Sequence, residues 1–291
     1  MTTLVQILLL GIALGGVYAL MASGLTLIFG VMRIVNISHA SFMMVSAYMT
    51  YWAFVWYKVD PILSLVFTMP VMFVFGLVIY KLFFSRIAGS EKLGELSVLL
   101  TFSLALILEG VLGYLFTNTY RSTSPVYAIK AILLGPFFIP TGQFYATLLS
   151  MLLLLSLWIF LRYSRTGNAI RATTQNREGA RVVGVNVERI SMIVFGLGAA
   201  LAGASGSLLS FLFSFYPGKH WEWIAILLSL IVLGGMGSMF GALIGAFLLA
   251  IASSYVSFYL GPTWSPITFF LALFLILLIR PQGLLGKRME A

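Results

Sequence analysis

The chain of 291 residues has no cysteine, two histidines (His39 and His220) and a single aspartate, Asp60. Without cysteine, disulfides, thiol chemistry and thiolate metal sites are excluded together. Two histidines do not furnish a histidine-rich centre, so no metal site is expected. Charge is scarce too: 9% of residues are Asp, Glu, Lys or Arg against 61% hydrophobic, and the mean hydropathy is +1.06. That leaves too little polar surface for a soluble globule. There is no HExxH zinc signature and no convincing Ser, His and Asp set, which makes chemistry within a bilayer the weakest class. A phosphate-binding P-loop is missing as well. The glycine-rich LGGMGSMFG, Leu233 to Gly241, lacks the lysine and following Ser or Thr that such a loop requires. No Lys or Arg precedes the first apolar run, so a cleavable signal is not expected.

What the chain does have is long apolar runs. A hydrocarbon core of about 30 Å takes roughly 20 residues per helix, which makes the expected fold an all-α transmembrane bundle of about eight to nine spans. A closed barrel would alternate polar and apolar residues, whereas Met151 to Phe160 is apolar on every face. One permease-like domain, 1–291, is the economical organisation. On the sixth expected span, Ala199, Gly203 and Ser207 are four apart, a spacing that lets helix backbones pack closely.

Two spans are interrupted. Gly30 to Phe42 contains Arg33, Asn36, Ser38 and His39; it is either a tight turn or a broken helix whose polar groups line a solute path. Leu233 to Gly241 is the second break. Paired interruptions in the two halves point to a transport pathway, with Arg33, Asn36, His39, Gly234, Gly235, Gly237 and Gly241 as candidate lining residues. Glu109 is a possible buried acid near the outer end of the fourth span. Asn118 to Gly142 is the longest external segment and a candidate docking surface, and Trp221 and Trp223 are expected as interface anchors.

Arg162 to Arg189 is the one long polar stretch, with six of the seventeen basic residues and two acids, Glu178 and Glu188. Placing it in the cytoplasm puts thirteen basic residues inside, counting Lys287 and Arg288 of the tail, and four outside: Lys58, Arg121, Lys130 and Lys219. The positive-inside rule expects such a bias. The N-terminus is then external and the C-terminus and the 163–189 loop cytoplasmic, in the inner membrane. The net charge of +9 is topological on this account, and no nucleic-acid partner is expected.

Transport is the leading class. An ion-coupled secondary transporter usually buries acids or histidine relays in its spans, and only Glu109 is a candidate. An ATP-driven carrier without its own P-loop needs a partner ATPase and a cytoplasmic element for it to push. Within the polar loop, Asn168 to Val183 is expected as one short helix stopped by Gly184. Glu178 and Arg181 are spaced to pair, and Arg171, Arg177 and Arg181 present positive charge.

RATTQNREGARVVGVNVERI, Arg171 to Ile190, resembles the coupling segment of permease subunits of branched-chain amino-acid ABC importers. The match includes Arg171, Ala172, Asn176, Glu178, Ala180, Gly184, Asn186 and Arg189. It extends to GGVYALMASGLTLIFGVMRIVNISHASFMM, to VLGGMGSMFGALIGAFLLA and to RPQGLLG. The resemblance implies a type II importer-like permease with Arg171, Asn176, Glu178, Ala180 and Gly184 at the ATPase contact, to which the spacing and charge of Arg181 add a sixth candidate. It also implies a second related permease, two cytoplasmic ATPase subunits that bind ATP and Mg, an external solute-binding protein and surrounding lipid. No cofactor is expected in this chain, and it is expected to be a transport subunit rather than an enzyme. Branched-chain amino acids are the implied solute, with urea or short amides as the alternative within the class. Arg177 stands where many relatives carry proline, so a straighter coupling helix is expected. Ser38 and Ser41 flank His39 where relatives often have Ala and a Gly or Glu.

Overall fold

A computed structural model of the protein describes residues 2–286; Lys287 and Arg288, expected in a cytoplasmic tail, lie outside the described residues. Residues that are apolar, aromatic, β-branched or small but for Gln6 give α1 (Thr2–Met32), about 46 Å long at 1.5 Å per residue. It ends at Arg33, whose φ of 55° is left-handed and whose N–H donates to Phe29 O at 2.8 Å. There follow α2 (His39–Tyr57) and α3 (Leu65–Ile79), which runs through a π turn, Tyr80–Phe84, into the short α4 (Ser85–Ile87). Next come α5 (Leu93–Phe116), an antiparallel hairpin of β1 (Ala131–Leu134) and β2 (Phe137–Pro140), and α6 (Thr141–Tyr163). The second half contains α7 (Arg165–Gln175), α8 (Arg177–Val182), α9 (Val187–Leu212), α10 (His220–Gly234), α11 (Met239–Leu260) and α12 (Ser265–Ile279).

Seven helices among the described residues are long and apolar enough to cross a membrane. The expected eight to nine is reached only by adding α2 and α10. The former carries His39, Ser41, Ser46 and Thr50 on its buried face, and the latter has 15 residues, about 22 Å of helix. The His39 to Thr50 part of α2 and α10 are enclosed by the bundle, which is why neither needs a fully apolar surface.

The bundle is built around α9, which is 83% buried along its span while α12, at the periphery, is 11% buried. Glycine is the reason α9 can be surrounded. Gly203 abuts the Met72 side chain and the Thr68 carbonyl of α3, and Gly206 backs onto the α2 backbone at Met43. Lipid tails are as apolar as leucine, so such helices are held by close van der Waals contact and interhelical hydrogen bonds rather than by hydrophobic burial.

The connections gather at two opposite faces. At one, Gln6 hydrogen-bonds Phe138 of the hairpin, Tyr127 Oη donates to Asp60 Oδ1 at 3.0 Å, and Arg121 N–H donates to Phe215 O at 2.8 Å. Burial, and next the Asp60 carboxylate, push the Tyr127 phenol well above its ordinary pKa. Lys58, Arg121, Lys130 and Lys219 belong to this face. At the other, Gly30 meets Gly237 and Leu284 N–H donates to Leu233 O at 2.8 Å.

Candidate functional site

The polar loop is not one helix but two. Ser164 caps α7 by accepting from Gly167 N at 2.8 Å, and Asn176 interrupts the helix with φ −152°. Its side chain then starts α8 by accepting from Gly179 N at 2.8 Å. The expected continuous Asn168 to Val183 helix is therefore corrected: an asparagine that can satisfy the free N–H groups of a new first turn makes a break inexpensive. Arg177 occupies the first position of α8, where proline is equally at home, so arginine here does not straighten the segment. Gly184 stops α8 as expected. At φ +86° it donates to Arg181 O, and Val185 donates to Ala180 O, the paired bonds of a Schellman motif. Asn186 opens α9 by accepting from Arg189 N at 2.9 Å.

Of the six expected coupling residues, Arg171 is on α7, Asn176 lies between the helices, Glu178, Ala180 and Arg181 are on α8, and Gly184 lies just beyond it. Arg171 on α7 is tied back to the bundle, donating to Asn168 Oδ1 at 2.7 Å and to Arg162 O at 3.3 Å. On α8, Ala180 is buried while Glu178 and Arg181 form an exposed pair at 3.1 Å. Val182 and Val183 beside them are 87% and 76% exposed, so the tip of the loop presents apolar surface next to charge.

A cavity of about 330 Å³ joins this loop to the second break. Arg171 and Thr174 of α7, Trp158 and Arg162 of α6, Gly30 of α1 and Gly237 line it. Gly237 and Gly30 are neighbours with room for a methyl, which on Gly237 would reach ordinary contact at 3.4 Å from Gly30 Cα; glycine is favoured at 237 by its φ of +83°. Gly234 and Gly241 instead pack backbone to backbone, and Gly235 packs against Gly286. The Leu233 to Gly241 and RPQGLLG segments thus form one knot, with Leu285 N–H donating to Gly234 O at 3.1 Å.

The other candidate pathway residues are elsewhere. Asn36 and His39 are fully buried; Ser38 Oγ donates to Asn36 Oδ1 at 2.6 Å, and His39 Nε2 lies 3.3 Å from Met21 O on α1. His39 fits against Gly24, where an added methyl would fall 2.7 Å from its Cε1. Arg33 is exposed. Neither Asn36 nor His39 lines the cavity that Gly237 shares with α7. Glu109 is not a buried acid: its side chain is 30% exposed and accepts from Trp221 Nε1 at 3.0 Å, with His220 Nε2 3.9 Å away. Trp223 is no interface anchor either. At 3% exposure it packs into Tyr18 and Phe213.

Residues 7–279 match the family described as branched-chain amino acid transport system, permease component. The chain belongs to that family. Among curated proteins it is similar to the high-affinity branched-chain amino acid transport system permease protein LivH of Salmonella typhimurium, 28% identical over 300 residues covering 95% of this chain and 94% of the relative. It is similar also to the probable LivH of Methanocaldococcus jannaschii, 27% identical over 280 residues (92% and 88%), and to BraD of Pseudomonas aeruginosa, 26% over 301 residues (97% and 95%). No solved structure matches the chain. The protein is therefore a multi-pass membrane permease, a subunit of an ABC importer.

The permease also holds a polar cluster that its composition concealed. Ser207 Oγ of α9 lies 2.9 Å from both Thr50 Oγ1 of α2 and Thr68 Oγ1 of α3. Thr50 continues to Ser64 at 2.9 Å, and Ser46 donates to Gly203 O at 2.5 Å. All five hydroxyl-bearing residues are fully buried. A signal existed: Ser46 and Thr50, and Ser64 and Thr68, are each four apart, on one face of a helix.

Proposed function

We propose that the permease imports branched-chain amino acids by alternating access, driven by two cytoplasmic ATPase subunits that contact α7 and α8. The observation that carries the coupling proposal is the cavity shared by Arg171 and Gly237. At its edge Thr174 of α7 lies beside Gly30 of α1, and Gly30 in turn meets Gly237, so displacement of α7 reaches the junction of α10 and α11 through the end of α1. Arg171, Asn176, Glu178, Ala180, Arg181 and Gly184 form the contact region, with Val182 and Val183 as its apolar tip. Arg33, Asn36, His39 and the Gly234, Gly235, Gly237 and Gly241 junction are the elements that rearrange when the pathway opens.

In this scheme 1–291 is one permease domain with 163–189 in the cytoplasm. The face bearing Lys58, Arg121, Lys130 and Lys219 is external, which satisfies the positive-inside rule, and the N-terminus lies on that side. A solute-binding protein docks there, against the hairpin and the Tyr216 to Glu222 segment. A second related permease completes the pathway, and ATP and Mg belong to the partner ATPases, this chain having no ATPase site of its own. The amino-acid solute is supported by the curated relatives' names.

The test is the paired exchange Glu178→Arg with Arg181→Glu in the reconstituted importer. The exchange keeps the local ion pair, worth little in itself at this exposure, but reverses the charge pattern facing the partner. Binding-protein-stimulated ATP hydrolysis and leucine uptake should separate, hydrolysis persisting while uptake falls. Unchanged coupled uptake would count against α8 as the coupling element.

A further inference from the structure

The cavity of about 330 Å³ beside α7 has a side that belongs to the membrane. Trp158 and Arg162 line it from α6, one turn apart, and the stripe of α6 that leads to them, Leu152, Leu155 and Ile159, is about half exposed, as is Trp158 itself. In a multi-pass permease an exposed apolar stripe of this kind faces lipid. Tyr163 follows at 70% exposure. The Arg162 guanidinium lies 5.1 Å from the Trp158 ring centroid and 5.8 Å from that of Tyr163. Exposed Trp and Tyr rings sit at the headgroup level of a bilayer, so the cavity opens at the depth of the lipid phosphates.

Its charge is of one sign. Arg162 and Arg171 both line the cavity, both are exposed, and no Asp or Glu lines it. Neither arginine has a carboxylate partner among the described residues, the loop's Glu178 being taken by Arg181. The bonds that tie Arg171 to Asn168 and to Arg162 O use only its Nη2, leaving the other donors of a five-donor fork. Two such forks suit the oxygens of a phosphate. Thr174 and Gln175 add neutral polar groups that can meet hydroxyls, whereas an ammonium finds no carboxylate there.

We propose that this cavity is a site for an anionic phospholipid whose headgroup bears hydroxyls and no ammonium. Its phosphate lies between Arg162 and Arg171, and an acyl chain follows the Leu152, Leu155 and Ile159 stripe. Basic pockets between transmembrane helices at a bilayer surface take headgroups of this kind. Free phosphate or an acidic segment of a partner subunit offers a like charge, but neither makes use of the apolar stripe that runs into the cavity. The site stands on the cavity and its lipid-facing wall, independently of the coupling mechanism, and leaves Glu178, Arg181 and the apolar tip of α8 to the ATPases.

The intact importer is placed in phosphatidylcholine discs in which brominated phosphatidylglycerol, phosphatidylethanolamine or phosphatidylcholine replaces a rising fraction of the lipid. Trp158 emission is isolated, in each background, as the difference between importers with and without Trp158→Phe, and its quenching reports the lipid at the cavity. Phosphatidylglycerol should quench half-maximally at about a tenfold lower mole fraction than the other two. Arg162→Gln combined with Arg171→Gln should erase that preference, all three lipids then quenching alike. Arg86→Gln, at an exposed arginine outside the cavity, should keep it. Residual quenching by phosphatidylcholine certifies the fold of the double variant, and the wild-type series decides the matter if that variant does not fold. Equal quenching by the three lipids in the wild-type importer, as when a partner's acidic segment already fills the cavity, overturns the site. A preference that survives in the double variant, or that millimolar inorganic phosphate removes, overturns it too. Because lipid and not uptake is read, none of these outcomes bears on the coupling role of α8.

Discussion

Gly234 and Gly241 face each other across the junction of α10 and α11, so closely that a methyl group on either would overlap the other's backbone. A backbone cannot rotate aside as a side chain can, so Gly234→Ala should be at the severe end of overpacking, about 3 kcal/mol. Gly110, on the exposed face of α5 with nothing within 4 Å, is the matched control. Thermal unfolding of the purified permease should show a large loss for Gly234→Ala and none for Gly110→Ala. Equal behaviour of the two would mean that the junction is looser than its geometry.

The break between α7 and α8 depends on one side chain. Asn176→Ala removes the acceptor for Gly179 N and should cost about 1 kcal/mol, all of it local to the loop. Leucine uptake should fall, and limited proteolysis should cut between Arg171 and Gly184 more readily, while the unfolding temperature of the bundle stays unchanged. Arg177→Pro should be tolerated, because position 177 is the first residue of α8 and needs no N–H there. An inactive Arg177→Pro variant would show that the arginine contacts a partner in its own right.

The bundle, the polar loop and the Gly184 stop were legible in the sequence because hydropathy, charge bias and helix-ending chemistry are local signals. The break at Asn176 was not: the stretch around it is compatible with a helix, and a capping asparagine declares itself only when its oxygen finds the N–H three residues on. His39, Trp223 and Glu109 illustrate a different limit. A polar or aromatic residue in an apolar run says that lipid is not its whole surrounding, but not what replaces lipid. For His39 it is Gly24 and Met21 O, for Trp223 it is Tyr18 and Phe213, and for Glu109 it is Trp221. Each of these partners lies ten or more residues away in the chain. The meeting of Gly30 with Gly237 was foreshadowed by the paired breaks, whereas the loop helix at their side was not.

Ser207 anchors the hydroxyl cluster. Ser207→Ala removes the side-chain partner of Thr68 and one of the two of Thr50, and interhelical bonds in membranes are worth about 0.6 kcal/mol on average. A loss of about 1 to 2 kcal/mol follows. Ser207→Val is nearly the same shape at the first branch but larger, and with Gly203 and Gly206 already in backbone contact it should be worse than alanine. Unfolding temperatures in the order wild type, alanine, valine would bear this out; valine above alanine would mean that α9 has room to spare at this level.

Glu109 separates ATP-driven from ion-driven transport. Its carboxylate accepts from Trp221 Nε1 at 3.0 Å and is part-exposed, so its structural task requires an acceptor oxygen. Glu109→Gln supplies that oxygen and should leave ATP-dependent leucine uptake little changed, whereas Glu109→Leu strands the indole N–H and should lower stability by about 1 to 3 kcal/mol. In proteoliposomes loaded with ATP, a protonophore should not alter uptake by either the wild type or the glutamine variant. An inactive but folded Glu109→Gln, together with protonophore-sensitive wild-type uptake, would instead make this carboxylate a proton carrier.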